Sequence, residues 1–402
     1  MTRILHIITT CDLRGGGPIE AARNMGTIWA GQGHSHDLLT LDPEDADLEL
    51  PGYPGRIFKV GAPVGKSLAA RYRYSPAMVP WLKANAHNYD AVIVSGLWRY
   101  QTMGAANALI DLGIPYFVFT HGMLDPWFRK RYPLKHAVKQ VSWLLAEGRL
   151  LRNAANVMFT CEEEGILAQD AFWPYSVNAA CVGYGTRDVA GDPEAQKAAF
   201  RAAVPNLADK RFLLFLSRIH EKKGCDLLLD GFARVAGREP DLDLVIAGPD
   251  QTGLVATLKA QAEKLGIGHR VHFPGMLKGD IKYGAFRAAE AFVLTSHQEN
   301  FGIVVAEALA CNTPVLISDK VNIWREVESD GAGLVGPDTA EGAYKVLSGY
   351  LDLSQDERLA MREKARACFI NRFRIEEVAT RLMTLIESHL NKDAGAPSHS
   401  FG

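Results

Sequence analysis

The sequence has few cysteines, and no two of them form a CxxC pair. Structural zinc sites and disulfide frameworks both use cysteines at close, repeated spacings, so we expect neither. The pattern predicts a reducing, cytoplasmic compartment. The six cysteines are Cys11, Cys161, Cys181, Cys225, Cys311 and Cys368.

Long apolar runs are also missing. No segment approaches the roughly eighteen apolar residues that a membrane-spanning helix needs. The first segment, "MTRILHIITTCDLRGGG", has only a short apolar run that is broken by His6. It is too short and too polar for a secretory signal, so we expect neither a signal peptide nor a membrane span.

An excess of one charge is absent as well, because the formal net charge is −2. This balance gives no electrostatic basis for binding bulk nucleic acid. The apolar content of 48% and charged content of 22% are typical of globular domains, and 402 residues predict two of them.

Short apolar segments alternate with helical patterns along the chain. Five strand-like segments precede Tyr184, a polar, Ala-rich piece follows, and five more come after it. This order predicts an α/β protein with two doubly wound, Rossmann-like domains facing a central cleft. The strand-like segments are "RILHIIT", "HDLLTL", "YDAVIVSG", "PYFVFTHG", "ANVMFTC", "RFLLFLSR", "LDLVIAG", "RVHFPG", "AFVLTS" and "TPVLIS".

The restart of this pattern sets the domain boundaries that we expect. The first domain covers 1–186, a linker covers 187–197 and the second domain covers 198–372. A helix over 373–390 is expected to pack back toward the first domain. The polar end, 391–402, is expected to be a disordered tail.

Two glutamates eight positions apart stand out in "TSHQENFGIVVAEALACNTPVLISD". Glu299 follows a predicted strand, Gly302 permits a tight turn, and Glu307 falls early in the next helix. The amides at such a helix start suit phosphate oxygens. Two carboxylates beside it could accept hydrogen bonds from sugar hydroxyls on either side of a diphosphate. As an isolated spacing, the pair would be two solvated acids.

Two cations follow another predicted strand, in "LFLSRIHEKKGCDLLLDGF". Arg218 comes just after the strand, and Lys223 precedes Gly224 and a helix. Such a pair suits a diphosphate, although a basic pair in a loop is usually just solvated.

The glycine-rich segment "CDLRGGGPIEAARNM" lies between the first strand and the first helix. Gly15 and Gly17 fit a dinucleotide fingerprint, but Glu20 stands where its third glycine belongs, which weakens a nicotinamide interpretation. Gly16 and Gly17 still allow a ligand to approach the backbone closely, and an ordinary turn is the alternative.

His121 ends a predicted strand in "FVFTHGMLDPW", where it should point toward a ligand. A single histidine is more often structural, but the end of a strand favours a role. Asp125 is close enough in sequence to orient His121 or to bind substrate.

A divalent ion that binds a diphosphate is often held by paired aspartates. The candidate pairs here are Asp45 with Asp47, in a polar loop, and Asp241 with Asp243, at the start of a strand. Neither lies at the carboxyl end of a strand, so we expect no metal and no other cofactor.

The segment 127–153 has seven Lys or Arg residues against one acid. A solvated helix face is the plain explanation. The alternative is an interfacial surface for anionic lipid or a polyprenyl-diphosphate acceptor.

Taken together, these motifs resemble the retaining glycosyltransferases of family 4, which have the two-Rossmann-domain architecture called GT-B. The E-x7-E signature appears as "ENFGIVVAE", and the G-R-x4-K-G motif appears as "SRIHEKKG", with Ser217 in place of the first glycine. The segments "THGMLDPW" and "WREVESDGAGLV" resemble a bacterial subgroup that builds surface polysaccharides. The resemblance covers nearly the whole chain.

The resemblance implies a role for each candidate residue. It gives catalytic roles to His121, beside the anomeric centre, and to Glu299, on the donor hexose. It implies that the anomeric configuration is retained by a front-face route. The other implied contacts are with the donor diphosphate (Arg218, Lys223, Gly16, Gly17), the donor sugar (Asn300, Phe301, Gly302), the ribose (Glu307), the base (Met276, Leu277) and the acceptor (Asp125).

Two departures from the family pattern are visible. Asn312 replaces a usual glycine, and asparagine tolerates the left-handed conformation that such a turn needs. "VGYGT" at 182–186 replaces a more usual "PNGVD" and leaves the contacts there open.

The expected activity is transfer of a hexose from a nucleotide-diphosphate sugar, with GDP-mannose slightly favoured, to a glycan or lipid-linked saccharide. We expect the enzyme in the cytoplasm, with peripheral contact at the inner face of the plasma membrane. The alternatives are a nucleotide-sugar epimerase of the same fold, a nicotinamide oxidoreductase and a non-catalytic sugar-binding module.

Overall fold

The computed structural model describes residues 1–63 and 65–395. The chain forms two compact units, one of Met1–Tyr184 with Ile375–Gly402 and one of Gly185–Arg374. The stretch 187–197, predicted as a linker, belongs to the second unit. The physical reason is visible at Asp188, whose carboxylate forms an ion pair of 2.6 Å with Arg366.

The first unit contains a seven-stranded parallel sheet. Its strands run in the order β3-β2-β1-β4-β5-β6-β7, so the chain winds outward in both directions from β1 and β4. The inner strands are buried along nearly their whole length because helices cover both faces of the sheet. The strands are β1 (Arg3–Ile8), β2 (Ser35–Pro43), β3 (Ile57–Gly61), β4 (Ala91–Ser95), β5 (Tyr116–Phe119), β6 (Asn156–Phe159) and β7 (Ala179–Cys181).

Eight helices connect these strands. The first begins at Gly17, and Pro18 in its first turn suits a helix start. The helices are α1 (Gly17–Gly31), α2 (Leu68–Tyr72), α3 (Met78–Asn85), α4 (Tyr100–Leu112), α5 (Trp127–Arg131), α6 (Pro133–Ser142), α7 (Gly148–Arg152) and α8 (Glu162–Ala168).

The second unit has a six-stranded parallel sheet in the order β10-β9-β8-β11-β12-β13. This is the strand order of a dinucleotide-binding fold, in which ligands bind where the order reverses, between β8 and β11. The strands are β8 (Arg211–Leu216), β9 (Leu242–Ala247), β10 (Val271–Gly275), β11 (Ala291–Leu294), β12 (Val315–Ser318) and β13 (Gly333–Gly336). The helices are α9 (Pro193–Ala203), α10 (Cys225–Ala236), α11 (Leu254–Lys264), α12 (Gly279–Ala288), α13 (Ile303–Ala310), α14 (Trp324–Ser329), α15 (Ala340–Leu351) and α16 (Gln355–Cys368).

The last helix, α17 (Ile375–Gly395), belongs to the first unit. It packs on α1, and the indole N–H of Trp29 donates a hydrogen bond of 3.0 Å to the carbonyl of Ala379. The helix continues five residues past the predicted end at 390, so the tail predicted over 391–402 begins as helix. Residues 396–402 lie outside the described residues.

All ten predicted strands are present, and the two sheets together contain three further strands that the pattern missed. The missed strands are β3, β7 and β13, and each lies at the edge of its sheet. Two of them are very short, with three residues in β7 and four in β13, and Lys59 interrupts the apolar residues of β3. Asn312 has a φ of 58°, which confirms that asparagine holds the left-handed turn expected there.

In the part of the chain that the structure describes, no helix has both the length and the apolar content to cross a membrane. None of the side chains of helix α6 is buried.

A close approach of two chain segments shapes the reversal point of the second sheet. Gly224 follows β8 with a φ of 61°, and a Cβ atom added there would lie 2.1 Å from the carbonyl oxygen of Thr295, just after β11. The Thr295 hydroxyl donates a hydrogen bond of 2.6 Å to the carbonyl of Gly224. The loops after β8 and β11 are therefore held against each other.

Gly224→Ala should destabilise the second unit. The left-handed backbone alone costs an L-residue roughly 1–2 kcal/mol, and the contact with Thr295 adds to that. Thermal unfolding followed by circular dichroism checks this.

The matched control is Gly237→Ala, at the other end of α10. Gly237 has an ordinary φ of −66°, and nothing lies within 4 Å of an added Cβ. That change should leave the midpoint unchanged or slightly higher. An equal loss in both variants would mean that the close approach to Thr295 is not a constraint.

Candidate active site

Lys223 and Glu299 meet at the reversal point of the second sheet. Lys223 lies in the 3₁₀ turn Glu221–Lys223, and its ammonium group forms an ion pair with the Glu299 carboxylate. The lysine side chain is 9% exposed and the glutamate side chain 23%. The sequence motifs assigned these residues to different parts of a donor, and nothing in the spacing of 76 positions showed that they would pair.

The backbone fixes both members of this pair. The Lys223 N–H donates to the carbonyl of His220 (2.8 Å), and the His220 imidazole in turn caps the short helix through Lys222 N–H. The Glu299 N–H donates to Lys320 carbonyl, at 2.9 Å. The backbone at both residues is therefore held in place independently of their ion pair.

Glu307 has a partner that the sequence analysis missed. Its carboxylate lies 2.7 Å from the ammonium of Lys282, on α12. Burial opposes the charge of this lysine, but the Glu307 carboxylate raises the pKa of Lys282 overall. The two residues are 25 positions apart on different helices, so only the fold could reveal the pair.

The remaining candidate residues of the second unit take different positions. Arg218 is exposed, and its side chain forms no ion pair with the described residues. The ring of Phe301 is buried against Phe373, with ring centroids 5.5 Å apart, so a ligand would meet the backbone at this position. Gly302 has a φ of 73° and starts α13, as the turn required.

The positions predicted to lie beside the base differ from each other. Met276 is 52% exposed, whereas Leu277 is 9% exposed and packs inward. Asn300 is half-buried between Glu299 and Phe301. Met276 is therefore the side chain of this group that a ligand can reach most readily.

Asp243, one of the four aspartates rejected as metal ligands, has a structural role. Asp243 is fully buried near the start of β9 and lies 2.7 Å from His272 and 3.3 Å from the ammonium of Lys210. Within the described residues, no group of three His, Cys, Asp or Glu side chains could hold a metal ion. The expectation of a metal-free reaction stays a prediction.

In the first unit, Gly16 and Gly17 form the start of α1. Gly16 has a φ of 84°, and an added Cβ would meet nothing within 4 Å. A Cβ on Gly17 would lie 3.0 Å from the hydroxyl of Tyr184. The backbone here is open at Gly16 and closely packed at Gly17.

A buried carboxylate holds the loop that carries His121. Glu164 accepts hydrogen bonds of 2.6 Å from both the Thr120 hydroxyl and the Gly122 N–H, on either side of His121. It also accepts from the N–H of Thr160, at 2.8 Å, which follows β6. His121 has a φ of 49°, an unusual conformation for histidine that these contacts support.

The imidazole of His121 lies at the carboxyl end of β5. It stacks on Phe119 with ring centroids 5.3 Å apart, and its Nε2 lies 3.2 Å from the hydroxyl oxygen of Ser95. Burial lowers the pKa of His121 to about 4, so the ring is neutral at neutral pH. A neutral imidazole offers one donor and one acceptor rather than a positive charge.

Asp125 caps the short helix α5 by accepting a hydrogen bond of 2.8 Å from Trp127 N–H. It also lines a small pocket with Lys135, His136 and Phe172. Asp125 therefore lies beside the basic segment 127–153.

Two family models match most of the chain. The model described as "Glycosyl transferase 4-like domain" matches residues 16–185, and "Glycosyl transferases group 1" matches residues 196–367. These ranges closely follow the two units, and they favour the transferase over the epimerase and oxidoreductase alternatives.

Relatives with curated functions match over shorter stretches. Mannosylfructose-phosphate synthase of Agrobacterium fabrum is 34% identical over 123 residues, which is 29% of this chain and 27% of that protein. The first relatives of this kind are matched over less than half of their own length.

Solved structures match over almost the full chain. Sucrose-phosphate synthase of Thermosynechococcus elongatus has a TM-score of 0.71 at 20% identity, covering 98% of this chain and 100% of that one. HepE of Anabaena, in complex with UDP and glucose, has a TM-score of 0.71 at 18% identity, covering 96% and 100%. At such low identity, these similarities show the fold. Together with the two family models, they show that the chain belongs to the GT-B glycosyltransferases of the family 4 type.

Proposed function

We propose that this protein is a retaining hexosyltransferase that moves a hexose from a nucleotide-diphosphate sugar to a glycan or lipid-linked saccharide. The observation that carries the proposal is the Lys223–Glu299 pair at the reversal point of a six-stranded dinucleotide-binding sheet. That is where such sheets bind nucleotides, and the pair offers a cation for phosphate beside an acceptor for hydroxyls.

Departure of the nucleoside diphosphate leaves growing negative charge on its phosphate oxygens. Lys223 and the exposed Arg218 would stabilise that charge together with the amides at the start of α13. These groups replace the metal ion of other transferases in our proposal. Glu299 would then exchange its contact with Lys223 for hydroxyls of the hexose.

Retention follows from the family resemblance rather than from a visible nucleophile. In the front-face route, the leaving phosphate takes the proton of the acceptor hydroxyl, and no covalent sugar–enzyme intermediate forms. His121 would hydrogen-bond to the transferred sugar in this route. Its ring is neutral, so it would not attract the negatively charged phosphate as a protonated ring would.

The donor is proposed as a hexose on UDP or GDP. GDP-mannose is the first candidate because of the resemblance to the surface-polysaccharide subgroup. UDP-glucose is the second, since the Anabaena protein of the same fold has a solved complex with it. The binding of the base to Met276 and Leu277 is part of the same proposal.

The acceptor is proposed to reach the enzyme at an anionic membrane surface in polysaccharide synthesis. Four exposed apolar side chains lie along α6 and the π-helical segment Trp143–Glu147 that follows it, at spacings of four, three and four residues. They are Leu134, Val138, Val141 and Leu145, which are 85%, 72%, 57% and 68% exposed. This spacing places them on one helical face.

Cations flank this apolar face. Arg131 and Lys135 lie beside the ring of Tyr132, and Lys139 lies 4.4 Å from the ring of Trp98. Apolar residues with basic neighbours are typical of helices that lie in the interface of anionic membranes.

The division of roles between the two glutamates tests the proposed function. Glu307→Gln should weaken binding of the bare nucleoside diphosphate about tenfold, because a charged acceptor for the ribose is lost. Glu299→Gln should leave that affinity unchanged or higher, since Lys223 is released, while turnover falls about tenfold or more. Both changes are isosteric. Calorimetric titration, together with initial rates from a screen of UDP- and GDP-sugars in EDTA, measures both effects.

Glu328→Ala serves as the control, because this glutamate is exposed on α14. It should change neither affinity nor turnover. If both Gln variants lost the same affinity for the bare nucleotide, the glutamates would not be divided between ribose and hexose. Activity that vanished in EDTA and returned with magnesium would exclude the metal-free mechanism.

Replacing Leu134 and Val138 together by serine should reduce binding to vesicles of equal parts phosphatidylcholine and phosphatidylglycerol. Each buried aliphatic side chain contributes up to about 1.5–3 kcal/mol, so the pair should cost at least tenfold in affinity. Vesicle flotation measures the bound fraction.

Leu359→Ser is the matched control for this experiment, because Leu359 is also exposed, at 53%, but lies on α16. It should leave binding unchanged. Wild-type protein that binds pure phosphatidylcholine equally well would rule out the proposed role of the basic residues.

A further inference from the structure

His121 is the outer end of a hydrogen-bonded chain that runs into the interior of the first unit. Its Nε2 lies 3.2 Å from the Ser95 hydroxyl oxygen, which lies 2.8 Å from Nε2 of His6. Nδ1 of His6 lies 3.1 Å from Nε2 of His36, and Nδ1 of His36 lies 3.0 Å from the Tyr53 hydroxyl. No other residue of the described structure hydrogen-bonds to the ring of His121.

Three adjacent strands supply the middle of this chain. His36 is on β2, His6 is on β1 and Ser95 is the last residue of β4. All three side chains are at most 3% exposed. The chain thus crosses the centre of the sheet, where β1 and β4 meet, and ends beside the candidate site at His121.

The inner end of the chain is closely fitted. A Cβ on Gly26 would lie 2.7 Å from Nδ1 of His36 and 2.6 Å from the ring of Tyr53, and one on Gly55 would lie 1.8 Å from the carbonyl oxygen of His36. Two glycines therefore make room for the contact between Tyr53 and His36. A polar chain buried in a sheet is costly unless every member is satisfied.

The positions of the protons follow from counting donors. The Tyr53 oxygen lies 2.5 Å from the carbonyl oxygen of His36, so the phenol proton must point there. Nδ1 of His36 must then donate to the Tyr53 oxygen, which leaves its Nε2 as an acceptor for Nδ1–H of His6.

The same count continues outward, because a neutral imidazole has one donor and one acceptor. Nε2 of His6 accepts from the Ser95 hydroxyl, and the Ser95 oxygen accepts from Nε2–H of His121. Burial keeps both rings neutral. It lowers the pKa of His36 to about 3. Burial also lowers the pKa of His6 well below its ordinary value, and the nearby His36 and His121 lower it further.

We propose that Ser95, His6, His36 and Tyr53 are positioning residues that hold His121 as its Nε2–H tautomer, with Nδ1 as a hydrogen-bond acceptor. A ring in this state selects a ligand group that donates a proton, such as a sugar hydroxyl, over a phosphate oxygen, which can only accept. This second step rests on the proposed function, whereas the tautomer itself does not.

The tautomer is measured on the whole protein labelled with ¹⁵N-histidine. NMR spectra of this kind distinguish protonated from unprotonated ring nitrogens. The signal of His121 is assigned by its loss in His121→Asn. We expect Nε2 protonated and Nδ1 unprotonated in the protein without ligand. The reverse assignment overturns the proposal.

Tyr53→Phe tests the chain from its far end. It removes one hydroxyl from a residue that does not contact His121, so a local structural role would leave the His121 signal unchanged. The proposal predicts that Nδ1 of His36 loses its acceptor and that the signal of His121 changes to a mixture of tautomers. An unchanged His121 signal overturns the proposal.

Ser95→Ala removes the link next to His121, and it should also reduce turnover about three- to tenfold. Ser75→Ala is the matched control, because Ser75 is equally buried in the same unit but bonds to the carbonyl of Val60. That control should change neither the His121 signal nor turnover. Equal effects of both serine variants overturn the proposal.

Addition of UDP-glucose or GDP-mannose tests the step that depends on function. The proposal predicts a shift of the Nδ1 signal of His121 with little change at Nε2. If the tautomer is the expected one but neither sugar nucleotide shifts the Nδ1 signal, the donor assignment alone is wrong. If a sugar nucleotide shifts the Nε2 signal instead of the Nδ1 signal, the proposed tautomer is wrong.

Discussion

The close approach of Gly224 to Thr295 is the constraint on which the candidate donor site depends. It brings the ends of β8 and β11 together, and it places the Lys223 turn beside Glu299. A side chain at position 224 would push these loops apart, so the ion pair exists because a glycine precedes α10. Backbone packing therefore fixes the segments that carry both charged groups before any ligand arrives, so only the side-chain contact has to change when the donor binds.

In the first unit, the candidate site residue His121 is held by hydrogen bonds rather than by an ion pair. Glu164 fixes the backbone on both sides of His121, and Ser95 fixes the orientation of its ring. Both supports come from neighbouring strands, since Ser95 ends β4 and Glu164 follows β6. In each unit, the residue proposed to meet the donor is held by contacts from a neighbouring strand end, and this explains why strand ends carry the motifs.

The sequence predicted the parts of this account that depend on local pattern. Continuous apolar runs identified ten strands, and Glu299, Lys223 and His121 were found because each follows one. The edge strands β3, β7 and β13 were missed because Lys59 interrupts β3, and because β7 and β13 have only three and four residues. The partners Lys282 and Glu164, and the chain from Ser95 to Tyr53, were missed for a different reason. They join side chains that are distant in sequence, and no spacing in a single chain reports such contacts.

The central claim is that Lys223 recognises the diphosphate of a sugar nucleotide. Calorimetric titration of nucleoside diphosphate and nucleoside monophosphate, on wild-type protein and on Lys223→Met, tests it most directly. Wild type should bind the diphosphate about tenfold or more tightly than the monophosphate, because charge-assisted contacts contribute about 1.5–3 kcal/mol. The variant should lose most of that preference while its affinity for the monophosphate changes little. An unchanged preference for the diphosphate in Lys223→Met would contradict the account.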